Sequence, residues 1–190
     1  MNKQKINQFL QSFIAIPMLA MAVPITGIGA IPNLASVTDK ITPVETSVIT
    51  TQEEVARKEK AQAIDSFLAS YDAPLEGYGM KFVLEAEKND IDWRLLTAIA
   101  MRESTGGKQA CKKATNSVFG YGSCKINFKS IDESIEVVSQ SLGGNNPNTA
   151  NHYDGKTTLQ ILKKYNSVIP NYTKQVVKIM KMIDDKEEVV

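Results

Sequence analysis

The sequence predicts an all-α fold, or a mainly α one with a short hairpin, and three observations predict it. Apolar residues recur at helical spacing through most of residues 51–185. Several of these runs open on hydroxyl or carboxyl residues suited to cap a helix, and two of them close on glycine pairs. No alternating strand series and no internal repeat competes with them.

Taken in order, residues 1–30 stand apart. Lys3 and Lys5 precede a run from Phe9 to Ala30 without a charged residue, the pattern of a signal peptide or a membrane anchor. Small residues at Ala20 and Ala22, or at Gly27 and Gly29, would serve a signal peptidase, while the length of the run would also let residues 9–30 anchor the chain. Pro17, Pro24 and Pro32 argue against a buried soluble helix there. Residues 31–50, rich in Pro, Thr, Ser and Val, read as a flexible linker.

A leading helix is expected over 51–71, with Thr51 and Glu54 as a capping box and Val55, Ala56, Ile64, Phe67 and Leu68 along it. A main domain over 72–185 follows. Its first helix comes after Pro74, turns Tyr78, Phe82, Val83 and Ala86 inward, and ends at Asn89 and Asp90. Asp92 caps the next, whose Leu95, Leu96, Ile99 and Ala100 mark it as the central buried helix, closing at Gly106 and Gly107. Residues 105–129 have no long period and read as a structured loop or a short hairpin. Ser130 and Glu133 then cap a helix carrying Ile131, Ile135, Val138 and Leu142 up to Gly143 and Gly144. A polar loop over 143–156 leads to a short helix, Thr158–Tyr165. Pro170 opens the last helix, with Tyr172, Val176, Ile179 and Ile183 on one face.

Composition bounds the function. A chain of 190 residues suits one domain with a short extra segment. Residues 1–30 hold two lysines and no acid, so the remainder has 20 basic and 21 acidic residues and offers no basic field for nucleic acid. Cys111 and Cys124 are the only cysteines, which in an exported chain favours a disulfide. With His152 the single histidine and no CxxC spacing, neither a metal site nor a cofactor is expected, and His152 is given no role.

Chemistry concentrates where the central helix ends. Glu103 falls in its last turn among apolar neighbours; burial and the helix dipole would both tend to keep it protonated, as a general acid must be. The run AIAMRESTGGK, with DWRLL before it and NSVFGYGS after it, resembles the lysozyme-like superfamily of peptidoglycan-cleaving enzymes, near the bacterial glucosaminidases (endo-β-N-acetylglucosaminidase-like) and lytic transglycosylases. In that family an apolar helix ends in Glu-Ser with the Glu as catalytic acid, and an Asn-x-x-Phe-Gly segment follows on the cleft wall. Glu103 and Ser104 match the first element, and Asn116, Phe119 and Gly120 match the second. The likeness covers roughly 74–182. Ile131 to Ile135 resembles the family's helix after the substrate loop, and Tyr165-Asn166, followed by Asn171-Tyr172, resembles its late Tyr-Asn segment. The chain departs from the transglycosylase pattern in having FGYGS where Gly-Leu-Met-Gln would follow the Glu, which leans towards the glucosaminidase branch.

The resemblance implies a lysozyme-like helical domain with a catalytic cleft, acting outside the cytoplasm as a monomer on peptidoglycan glycan strands. Glu103 would be the acid, with Tyr165 near it or else packed as a helix-end core aromatic. Ser104, Asn116, Phe119, Gly120 and Tyr121 would bind the sugar. Phe119, Tyr121 and Phe128 would stack on sugar faces or pack the core, and a Cys111–Cys124 bond would brace the wall between them. A second carboxylate is harder to name. Asp132, Glu133 and Glu136 suit helix capping, Asp154 is a freer candidate, and a substrate-assisted mechanism needs none. A module that keeps the cleft without turnover is the rival from another class.

Overall fold

A computed structural model describes residues 43–187, with side chains from residue 51 onward. The expected signal peptide or membrane anchor over 1–30 and most of the expected linker lie outside the described residues. Among the described residues the fold is all-helical, without strands.

Helix α1, Pro43–Ala69, begins earlier than expected, so residues 43–50 are helix and not linker. Proline suits a first turn: its φ is already helical and it has no N–H for that turn to leave unpaired. Thr51 and Glu54 therefore lie inside the helix. The burial also starts later than the pattern implied. Val55 is exposed, whereas Ala61, Ile64, Phe67 and Leu68 are buried against α2, Gly79–Lys88, and α8, Tyr172–Glu187. The leading helix is thus part of the same core as the rest of the domain.

At the centre lies α3, Leu95–Ser104, in which Leu95, Leu96, Thr97, Ala98, Ile99 and Ala100 are all wholly buried. A helix that is covered on every side needs a largely apolar sequence on every side, and this stretch supplies it except at Thr97. Asp92 does not cap in the usual register; its Oδ1 accepts from the Arg94 N–H at 3.0 Å and from Arg94 Nε at 2.9 Å. The helix ends at Ser104, two residues before the first expected glycine, with Thr105 as its left-handed C-cap at φ 52°.

The loop after α3 contains no hairpin. Its two arms meet through a single backbone bond, Phe128 N–H to Thr115 carbonyl at 3.0 Å, and through side chains: Asn116 Nδ2 to Phe128 O at 2.9 Å and Thr115 N–H to Asn127 Oδ1 at 2.9 Å. Within it, α4, Tyr121–Cys124, is one tight turn with Gly122, Ser123 and Cys124 at positive φ. Cys111 and Cys124 are joined in a disulfide, their Cα atoms 5.6 Å apart.

Helix α5, Ile131–Leu142, starts where the Ser130 Oγ accepts from the Glu133 N–H at 3.1 Å. Ile135, Val138 and Leu142 are wholly buried. The polar loop that follows holds a further turn of helix, α6, Ala150–Tyr153, which its sequence did not announce. Helix α7, Thr158–Tyr165, has the expected bounds and is started by a reciprocal capping box of Thr157 and Gln160. In α8 the buried face is Tyr172, Val176, Met180 and Ile183; Met180 takes the deep position expected of Ile179. No helix among the described residues is long and apolar enough to cross a membrane.

Candidate functional site

Three helix ends and the disulfide loop converge on Glu103. Its carboxyl sits in the last turn of α3, half-buried, and its Oε1 accepts a 2.6 Å hydrogen bond from the hydroxyl of Tyr172, the first residue of α8. No protein group among the described residues bonds the other oxygen, Oε2. It faces Gly120, where an added Cβ would lie 3.2 Å from it. Gly120 is left-handed at φ 62°, so both its backbone and the space beside it suit glycine.

The wall opposite Glu103 is held by several anchors. Tyr165, at the end of α7, donates from its hydroxyl to the Phe119 carbonyl at 2.7 Å. Tyr121 donates to Ser141 Oγ on α5 at 2.8 Å. Ser104 is buried behind the wall; its Oγ donates to the Val118 carbonyl at 2.6 Å and accepts from the Gly107 N–H at 3.0 Å. The cavity so formed measures about 290 Å³ and is lined by Glu103, Phe119, Gly120, Tyr121, Tyr153, Tyr165 and neighbouring loop residues. This is near the small end of ligand clefts, which run ~300–1,000 Å³. Other concavities are larger, but none of them holds Glu103.

Two stacked tyrosines shape the electrostatics. The rings of Tyr165 and Tyr172 lie 6.2 Å apart and nearly parallel, and the Arg102 guanidinium sits 5.8 Å from the Tyr172 ring centre while its Nε donates to Gln175. Burial, then the hydrogen bond and charge of Glu103, hold the Tyr172 phenol well above its ordinary range. Burial and the Glu103 charge do the same to Tyr165. A phenolate there would be both desolvated and repelled by a carboxylate, so both groups remain neutral donors.

The expected residues are thus distributed unevenly. Glu103, Phe119, Gly120, Tyr121 and Tyr165 line one cavity. Ser104 and Asn116 do not line it; they tie loop carbonyls, at Val118 and Phe128. The Phe119 ring is buried, so what that residue offers the cavity is backbone, and Phe128 is buried as well. Neither ring is available to stack on a sugar. Asp132 and Glu133 lie in the first turn of α5, where Glu133 accepts from the Lys129 N–H, Glu136 pairs with Lys88 at 3.4 Å, and Asp154 lies at a different cavity. Among the described residues no other carboxylate joins Glu103 in its cavity, and no cluster of His, Cys, Asp and Glu is suited to a metal ion.

Tyr172 and Tyr153 are the residues that sequence reasoning missed. Tyr172 reads as an ordinary core position on α8, and its ring is indeed 1% exposed. The signal was its hydroxyl, since a tyrosine on a core face needs a polar partner for its tip. No protein-family profile, no curated protein and no solved structure matches this chain.

Proposed function

We propose that the chain is an exported glycosidase that cleaves a β-1,4 bond between N-acetylated sugars of peptidoglycan, with Glu103 as the general acid. The observation that carries this reading is the division of labour at the Glu103 carboxyl. Oε1 is occupied by the Tyr172 hydroxyl, and Oε2 is left open beside Gly120. A proton carried on Oε2 would have a path to a glycosidic oxygen seated in the cavity. Tyr121 and the Phe119–Gly120 backbone would contact the sugar, Tyr165 would fix that backbone, and Tyr172 would orient the acid. The disulfide supports an oxidising location outside the cytoplasm.

A second reading, a lytic transglycosylase giving an anhydro product, draws support from Glu103 being the sole carboxylate on this cavity among the described residues. In either chemistry a group of the substrate itself, an acetamido oxygen or a hydroxyl, would supply the nucleophile that a second carboxylate otherwise provides. The test is digestion of purified cell walls with the wild-type chain and Glu103→Gln, which keeps an acceptor for Tyr172 and removes the proton donor. Wild type should release glycan fragments, and the variant should lose ~10²–10⁴-fold in rate at unchanged fold. Mass spectrometry of the fragments separates reducing from anhydro ends. Wall binding without release by the wild type would refute the enzyme reading in favour of a binding module.

A further inference from the structure

The cavity beside Glu103 has a neighbour. Tyr153 lines both it and a second cavity of about 580 Å³ formed where the end of α2, the end of α5 and the turn after α6 meet. The floor of this second cavity is built tightly. Leu142 and Ile161 are buried there, and the amide of Asn89, 2% exposed, is fully engaged: Nδ2 donates to Glu85 O and Ser139 Oγ, and Oδ1 accepts from Asn145 Nδ2 at 3.0 Å. Glycines let the chain segments close on each other. A Cβ at Gly143 would lie 2.2 Å from the Asn89 carbonyl oxygen, and one at Gly144 would lie 2.6 Å from the Asp154 Cα.

The rim, in contrast, carries charge that the protein does not use. Asp90, Asp154 and Lys156 line the opening, are exposed, and make no side-chain hydrogen bond or ion pair among the described residues. Lys88 also lines it but is held near Glu85 at 3.7 Å and Glu136 at 3.4 Å. The unspent set is therefore two carboxylates and one ammonium around an amide-bearing, partly apolar floor. That set complements a short peptide with a free amine and a free carboxylate.

We propose that this second cavity takes the peptide stem carried by the glycan strand, with Asp90 and Asp154 receiving the amine of its diamino residue and Lys156 receiving a carboxylate. The proposal rests on the glycan-cleaving reading for its ligand. A stem hangs from the sugar to which it is joined, and the shared Tyr153 wall sets the two cavities side by side. The site would make the protein prefer strands that still carry their stems.

The probe is a synthetic tetrapeptide stem with a free side-chain amine and a free terminal carboxylate, titrated into the full chain by calorimetry. Saturable binding is expected, weakened on the order of tenfold by Lys156→Ala and similarly by Asp154→Asn, as charge-assisted contacts would be. Acetylating the peptide's amine should weaken binding to wild type but change little for Asp90→Asn/Asp154→Asn. All these side chains are exposed, so the variants keep the fold. No saturable binding, or full binding by the chain that carries Asp90→Asn, Asp154→Asn and Lys156→Ala together, overturns the proposal. Stem binding by a chain that leaves walls uncut would sink the cleavage reading alone. Cut walls without stem binding would sink this inference alone.

Discussion

The Tyr172 hydroxyl donates a 2.6 Å hydrogen bond to Glu103 Oε1, tying the first residue of α8 to the last turn of α3. The ring around that hydroxyl is buried, so Tyr172→Phe removes the donor and leaves the packing. A hydrogen bond of this kind contributes about 1 kcal/mol net, and a loss of that order in unfolding free energy is expected. On the proposed glycosidase reading, turnover should fall mainly in kcat, because Glu103 loses its orienting partner while the cavity's other groups stay.

Tyr165→Phe separates from it. The Tyr165 hydroxyl holds the Phe119 carbonyl and makes no bond to Glu103, so its loss loosens the cavity wall and leaves the Glu103 carboxyl untouched. A neutral bond is worth about 1 kcal/mol, and the kinetic effect should appear chiefly in KM. Steady-state kinetics of the two variants on a soluble glycan fragment check the pair. Equal kcat losses with KM unchanged in both would show that the two hydroxyls are not doing different things.

Gly120→Ala should be more damaging than its size suggests. Its left-handed φ of 62° costs an L residue ~1–2 kcal/mol, and the new methyl would stand 3.2 Å from Glu103 Oε2. Activity should drop by more than the stability change explains, as read from turnover at a temperature where both proteins remain folded. Wild-type turnover in Gly120→Ala would mean that Oε2 is not the working oxygen.

Much of this was legible from residue order because the physics was local. Apolar period and caps mark α5 and α7, and the all-round apolar run Leu95–Ala100 marks the central helix. The place of Glu103 at the end of that helix was legible for the same reason: a carboxylate closing such a helix is a conspicuous departure from its surroundings. The supports of the site were not. Tyr172 reaches Glu103, and Tyr165 reaches Phe119, across long stretches of chain whose separation is set by how α7 and α8 pack, and no local pattern carries that information. Phe119 and Phe128 read as sugar platforms or as core, because an aromatic in a glycine-rich loop has no visible partner in sequence, and both are buried. The early start of α1 was hidden by Thr and Val, whose β-branched side chains lower helix propensity without forbidding it.

The disulfide should matter for both stability and the wall. It closes a loop with a sequence separation of 13, for which chain-entropy reasoning gives ~3 kcal/mol. Joint Cys111→Ser and Cys124→Ser substitution should lower the unfolding free energy by up to about that amount. It should also reduce turnover, because Gly120 and Tyr121 lie within the closed loop. Non-reducing peptide mapping of protein recovered from outside the cytoplasm must find the two joined; two free thiols would remove the claim.

Alkaline stability gives a test of the tyrosine pair that needs no substrate. In the folded chain the phenols of Tyr165 and Tyr172 are held above the ordinary value, first by burial and then by the neighbouring Glu103. In the unfolded chain both would titrate near the ordinary ~10. Their contribution to stability is therefore complete below that value. As pH rises above it, the unfolded chain releases protons that the folded chain still holds, and stability falls. Each such phenol adds up to ~1.4 kcal/mol per pH unit to the descent. Denaturant midpoints for wild type and for joint Tyr165→Phe and Tyr172→Phe substitution, compared from neutral pH to about one unit above the unfolded phenol value, isolate the effect from other groups that titrate there. The wild-type curve should fall more steeply than that of the variant, and the phenolate absorbance of wild type should lag behind that of the unfolded chain. Parallel curves would mean that these two hydroxyls ionise freely, which is incompatible with the buried, carboxylate-facing positions they occupy.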